Sequence, residues 1–186
     1  LADTITEPNL RTSMERFTDS PDATLKLGSL MAEALPDTSV VSLNGTLGAG
    51  KSVLVRGVAA GLGVPPEDVT SPTFTLWQTY HGRRTLHHLD AYRLNSIDDF
   101  YDLGGEELFE MDGLKLIEWG DRVREALPED YLQLSIEVVD DQIRRFVLTG
   151  VGQQAWPATV FLVRGARSLP TAGSWVFVTC LNSDAE

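Results

Sequence analysis

In Gly45-Thr46-Leu47-Gly48-Ala49-Gly50-Lys51-Ser52, a glycine is followed by four residues and then Gly-Lys-Ser, the spacing of a loop that cradles phosphate. The flanks match that reading. Val40, Val41 and Leu43 before it read as a buried strand, and Val53, Leu54, Val55, Val58 and Leu62 after it fit a helix with one apolar face. The loop between them has to turn sharply and aim backbone N–H groups at phosphate oxygens. Gly45, Gly48 and Gly50 can take positive φ and carry no Cβ to block the approach, while Thr46, Leu47 and Ala49 complete the cradle. The helix N-terminus adds unpaired N–H groups and partial positive charge. Lys51 is placed to reach the β- and γ-phosphates, and the Ser52 hydroxyl to ligate Mg²⁺. The plain alternative is a glycine-rich βα turn with an incidental lysine. The strand before and the helix after argue against it.

Phosphate transfer or hydrolysis needs more than a cradle. It calls for an acid at the metal, a group that positions water or acceptor, and a segment that senses the γ-phosphate. Asp90 follows the apolar run Thr85–Leu89, and Glu118 follows Leu114–Ile117. Strand C-termini face the ligand crevice in open α/β sheets, so either acid can share the Mg²⁺ shell with Ser52 while the other orients the attacking water. A surface or N-cap carboxylate is the competing role for each. Ser71-Pro72-Thr73 lies where nucleotide switches place a hydroxyl, with proline holding the segment extended; an ordinary loop is the alternative. His87, His88 and Asp90 lack the distant partners that would complete a zinc site, so the histidines read as structural. Arg93 suits a salt bridge better than an arginine finger, and Trp119 is either a core aromatic or a lid beside the nucleotide.

Composition bounds the setting. The chain has 186 residues, 42% hydrophobic and 23% charged, values of a folded globular chain. Its formal net charge is −12. Residues 151–186 carry Arg164 and Arg167 against Asp184 and Glu186, so the whole deficit lies in residues 1–150. Such a surface repels nucleic acid, and any role near RNA is expected to run through a partner protein. One cysteine, Cys180, allows no disulfide within the sequence and fits a reducing compartment. With no basic-then-apolar N-terminal pattern and no apolar run of membrane-spanning length, a soluble cytoplasmic protein is expected.

Along the chain, Ser20-Pro21 starts a helix carrying Leu27, Leu30, Met31, Ala34 and Leu35. Phe74–Tyr80 and Thr85–Leu89 read as a hairpin around His81–Arg84, and Leu132–Val139 with Arg144–Thr149 as a second, turning at Asp140-Asp141. Ser96 caps a short helix closed by Gly104-Gly105, and Arg122–Leu127 reads as another, stopped by Pro128. Residues 1–16 are expected to be a flexible leader, with Met14 nearer the functional start. Residues 150–186, rich in Gly, Ser and Thr with few charges, read as an extension without a motif.

Four groups of residues, in order, carry a resemblance: Leu47–Ser52 with Arg56-Gly57, then Ser71-Pro72-Thr73-Phe74-Thr75, then His88-Leu89-Asp90-Ala91-Tyr92-Arg93-Leu94 with Leu103-Gly104, then Ile117-Glu118-Trp119. From about Phe17 to Thr149 the chain resembles the TsaE (YjeE) family of small bacterial P-loop ATPases. The resemblance implies an α/β fold, a P-loop NTPase-like mixed and largely parallel sheet flanked by helices, to which the two hairpins add antiparallel pairs. It implies a role in making threonylcarbamoyladenosine at position 37 of tRNAs that read ANN codons. It further implies binding to the TsaD–TsaB heterodimer, with ATP hydrolysis resetting that complex, and tRNA met only through it. By position, Lys51 and Ser52 match the family's phosphate and Mg²⁺ residues, Asp90 the acid of its HxDxYR motif, Glu118 its second acid, Trp119 the residue after it, and Thr73 its switch threonine. Ser52 stands where many members have threonine and Thr46 where aspartate is common; residues 150–186 match nothing in the family.

Two other functions use the same residues. A small-molecule kinase needs an acceptor pocket and often an arginine-rich lid, and only Arg83-Arg84 forms an arginine pair outside the final hairpin. A nucleotide-dependent binding switch shares every residue with the ATPase. Asn-Lys-x-Asp, the guanine-reading run, is absent.

Overall fold

The computed structural model describes residues 13–72 and 75–152. Thr73 and Phe74, and with them the expected switch threonine, lie outside the described residues, as do residues 1–12 and 153–186.

The strand expected before the glycine-rich loop is β2, Val40–Gly45, and it sits in the middle of a seven-stranded sheet. The other strands are β1 (Ser13–Thr18), β3 (Trp77–His81), β4 (Thr85–Asp90), β5 (Leu114–Glu118), β6 (Tyr131–Val138) and β7 (Arg144–Val151), in the spatial order β1-β7-β6-β2-β5-β4-β3. The β6-β2, β2-β5 and β5-β4 pairs are parallel, and the outer pairs are antiparallel. Both expected hairpins are therefore present, and each flanks the parallel centre.

The period-2 alternation of these strands builds two cores. Val41 and Leu43 of β2, Leu114 and Leu116 of β5, and Leu86 of β4 face one layer with α1 (Pro21–Ala34) and α2 (Lys51–Gly61). Val40, Ile117 and Leu89 face the other, with Phe100 of α3 (Ile97–Asp102) and Leu108 of α4 (Gly105–Glu110). Ser20 caps α1 by accepting from the Ala23 N–H, with Pro21 at the first helical position. Ser96 does the same for α3 through Asp99.

α1 and α2 approach backbone to backbone. A Cβ on Gly57 would fall on the Leu25 carbonyl, and one on Gly28 would meet the Leu54 carbonyl and the Val58 nitrogen. The β3–β4 turn then closes the C-terminal ends of this pair. Arg83 donates to the Gly61 carbonyl, and Arg84 donates to Ala32 at 2.9 Å and pairs with Asp37. Cations at helix C-termini meet the negative end of the dipole.

Three boundaries differ from expectation. Ser13–Arg16, assigned to the leader, belong to β1, which pairs with β7 through Met14↔Leu148 and Arg16↔Phe146. The cause is long-range: Met14 is buried under that pairing, and Arg145 bridges Glu15 and Glu137 across three strands. Within the extended run expected over Phe74–Tyr80, Thr75 and Leu76 stay outside the strand, which begins at Trp77, because Leu76 takes a left-handed φ of 64°. Its N–H donates to Pro72 O at 2.6 Å and its carbonyl accepts from the Asp90 N–H at 2.9 Å, so it turns the chain rather than extending it. The helix expected over Arg122–Leu127 spans Gly120–Ala126 instead, as 3-10 turns interrupted at Val123 (φ −120°, ψ 24°). Among the described residues, no helix is long and apolar enough to cross a membrane.

Candidate nucleotide site

β2 ends at Gly45 and α2 starts at Lys51, so residues 46–50 span the gap at the C-terminal edge of the parallel strands. Gly48 (φ 77°) and Gly50 (φ 109°) are left-handed, and a Cβ on either would meet nothing within 4 Å. The loop is thus open around both glycines, and it leads into the first turn of α2, whose amides have no acceptor within the helix itself. Ala49, by contrast, is fully buried and anchors the loop to the core.

Lys51 is 5% exposed. Its ammonium donates to Gly45 O at 2.7 Å and Thr46 O at 2.9 Å, and lies 3.8 Å from the centroid of the Trp119 ring. Burial pushes its pKa down, while Glu118, Asp90 and Asp121 pull it back. The lysine therefore sits among three carboxylates in a partly dehydrated site, where its charge acts strongly on any anion that enters.

The structure sets the two candidate acids side by side. Asp90 and Glu118 are register partners at the ends of neighbouring parallel strands. Alternation puts both, with His88, on the face that carries α2. Their bonding differs. The Ser52 hydroxyl donates to Glu118, 2.9 Å from Oε1 and 3.2 Å from Oε2, across 66 residues of sequence. Asp90 Oδ1 accepts from the Tyr92 N–H at 2.9 Å and so caps the 3-10 turn Ala91–Arg93. The structure joins Ser52 to Glu118, and gives one oxygen of Asp90 the capping role weighed as its alternative.

Trp119 is the first residue past Glu118 and takes left-handed φ 57°, ψ 38°. A tryptophan there is strained by about 1–2 kcal/mol. Three contacts hold it: its N–H donates to Leu43 O at 2.8 Å, its ring lies over Lys51, and Tyr92 packs on it at 5.0 Å. It is half-buried and packs against the second core, the core role weighed for it, while its ring also contacts Lys51.

Sequence reasoning missed two contributors. Asn44 Oδ1 accepts from Ser42 Oγ at 3.2 Å and from the Asp121 N–H at 3.1 Å, tying the strand into the loop to the segment after Trp119. No pattern in the sequence marks that link. His88, read as structural, lies 2.9 Å through Nε2 from Glu118 Oε1. Its place two residues before Asp90, on the same face of β4, was the available signal. His87 is structural as read: its ring nitrogens meet Thr79 Oγ1 at 3.1 Å and Asp112 O at 3.0 Å. Arg93 is exposed.

The donor set suits Mg²⁺. A serine hydroxyl and carboxylates are hard oxygen ligands, and Mg²⁺ at nucleotide sites takes one or two protein oxygens beside phosphate and water. Among the described residues no group of three or more His, Cys, Asp or Glu is placed to cage a metal by itself. A Ser52–Glu118 pair beside an open glycine loop fits the first arrangement and not the second.

Residues 18–146 match the family model "Threonylcarbamoyl adenosine biosynthesis protein TsaE". The chain is 45% identical over 129 residues to the tRNA threonylcarbamoyladenosine biosynthesis protein TsaE of Treponema pallidum (strain Nichols), covering 69% of this chain and 95% of the relative. It is 38% identical over 138 residues to the protein of that name from Bacillus subtilis (strain 168), covering 74% and 85%. Among solved structures, the crystal structure of YdiB from Bacillus subtilis is similar at a TM-score of 0.64 and 32% identity, covering 77% of this chain and 89% of that one.

Proposed function

Because the chain belongs to the TsaE family of threonylcarbamoyl adenosine biosynthesis proteins, we propose that it is a P-loop ATPase that supports formation of threonylcarbamoyladenosine in tRNA. In this reading it binds the TsaD–TsaB complex and hydrolyses ATP to reset that complex between cycles. The hydrogen bond from Ser52 to Glu118 carries the reading. It brings the last residue of the glycine loop to a strand-end acid, the pairing that a metal-assisted phosphate reaction requires.

Each residue has a task in that reaction. The loop amides and the α2 N-terminus bind the phosphate tail. Lys51 supplies positive charge against it, held in reach by two loop carbonyls and the Trp119 face. Ser52 and Glu118 are the residues that would hold Mg²⁺, which when bound neutralises charge on the phosphate oxygens. Asp90, whose field Lys51 feels, is the second acid, available to orient the attacking water. In this reading Trp119, whose ring lies over Lys51, flanks the bound nucleotide, and Thr73 is the switch threonine. In this reading the protein works in the cytoplasm and meets tRNA through the partners.

The test is steady-state ATP hydrolysis with and without the TsaD–TsaB pair. Slow turnover alone and faster turnover with the pair is expected. No stimulation, with phosphate moving to a small acceptor instead, would replace this reading with the kinase. Nucleotide-dependent association with the pair but no turnover would replace it with the binding switch.

A further inference from the structure

β4 carries two adjacent buried histidines, and they are used differently. His87 faces the second core and satisfies both ring nitrogens with scaffold groups, Thr79 Oγ1 and the Asp112 carbonyl. His88 faces α2, is 1% exposed, and has a single polar contact among the described residues: Nε2 to Glu118 Oε1 at 2.9 Å. Its Nδ1 is buried without a hydrogen-bond partner there. Burying a polar ring with half its hydrogen-bonding capacity unmet is costly, and an aliphatic side chain would pack the same space more favourably. The one bond it makes is therefore what its polarity serves.

We infer that His88 is a positioning residue for Glu118: its Nε2–H fixes the carboxylate so that both oxygens stay within reach of the Ser52 hydroxyl. This rests on the ATP-hydrolysis reading above. An ionised carboxylate only accepts, so in this role the nitrogen facing it carries the hydrogen. No proton leaves the imidazole in this role. Glu118 is 3% exposed and is met by two side chains from different elements, Ser52 on α2 at both oxygens and His88 on β4 at Oε1. Ser52 lies in the first turn of α2, directly after the loop that must engage ligand, whereas His88 belongs to a strand hydrogen-bonded on both sides. The histidine is thus the fixed half of the clamp.

The experiment compares the full chain with His88→Gln and His88→Asn. Glutamine places an amide nitrogen where Nε2 lies, while asparagine places its own where Nδ1 lies and falls short of Glu118. In His88→Asn, kcat for Mg·ATP is expected to fall on the order of tenfold or more, the size of effect seen when a group supporting a metal ligand is removed. KM, and the affinity for a non-hydrolysable ATP analogue by calorimetry, should change by less than about threefold over that same loss of kcat. His88→Gln should recover most of the turnover. Long-range ¹⁵N–¹H spectra of the unsubstituted protein should show His88 as the Nε2–H tautomer, a readout that needs no variant to fold. Hydrolysis by the unsubstituted chain with equal kcat in His88→Asn, or a Gln variant as slow as the Asn variant, overturns the positioning role and leaves the ATPase reading standing. So does an Nδ1–H tautomer. No hydrolysis by the unsubstituted chain, alone or with TsaD–TsaB, overturns the ATPase reading and the positioning role with it.

Discussion

Glu118 and Asp90 look alike in the sequence, each a single acid after an apolar strand, and the two were interchangeable there. Their hydrogen bonds separate them: Glu118 takes the Ser52 hydroxyl, and Asp90 gives one oxygen to a turn. Alternation within β4 and β5 already placed both on the α2 face, but the partner of each depends on the side-chain arrangement at two distant loop ends. His87 and His88 show the same limit, since a face can be read from spacing but a hydrogen-bond partner 30 residues away cannot. The His87 surroundings make a further prediction. Burial lowers its pKa, and Lys115 and His81 lower it further against the raising effect of the Asp112 carbonyl. The native state then binds a proton less readily than the unfolded chain, for which about 6.5 is ordinary. Between that value and the lowered one, stability rises with pH; as pH falls through the window it is lost. Denaturant unfolding at a series of pH values should show this slope, and His87→Gln should flatten it. An unchanged slope in the variant would assign the acid sensitivity elsewhere.

Elements built on local rules were legible. The Ser20-Pro21 start of α1, the hairpin turns, and the strand–loop–helix around Gly45–Ser52 each carry their signal within a few residues. β1 was not, because Ser-Met-Glu-Arg-Phe-Thr mixes charge into its alternation and its strand pairing is with β7, some 130 residues away. Trp77–His81 began late because Leu76 turns left-handed, a conformation no β propensity predicts for leucine. The α1–α2 contact depends on bare backbone at Gly28 and Gly57. Gly57→Ala gains roughly 1 kcal/mol of helix propensity. It also drives a methyl into the Leu25 carbonyl, and overpacking of that kind costs about 1–3 kcal/mol. The net effect should be a lower denaturation midpoint. A variant as stable as the parent or more so would mean that the helices are free to separate.

At the scale of the molecule, charge and topology point the same way. The deficit of −12 includes seven acids and no Lys or Arg between Asp98 and Asp112, the stretch that holds α3 and α4. Asp98, Asp102, Glu106, Glu107, Glu110 and Asp112 are exposed. A face of that sign repels a phosphate backbone beyond the reach of one loop. The isolated protein should leave tRNA unshifted in a gel at about 0.1 M salt, where screening still leaves contact-range repulsion, and binding should require the partner complex. Retardation of tRNA by the protein alone would move RNA recognition onto this chain.

The centre of the account is the carboxylate that Ser52 and His88 hold between them. Its most direct test is hydrolysis of Mg·ATP by Glu118→Gln at saturating nucleotide. The substitution keeps the shape and removes the charge. Nucleotide affinity should persist, because the loop amides and Lys51 remain, while turnover falls by on the order of a hundredfold, the usual range for a catalytic acid or base. Turnover equal to the unsubstituted protein at equal occupancy would remove Glu118 from the reaction.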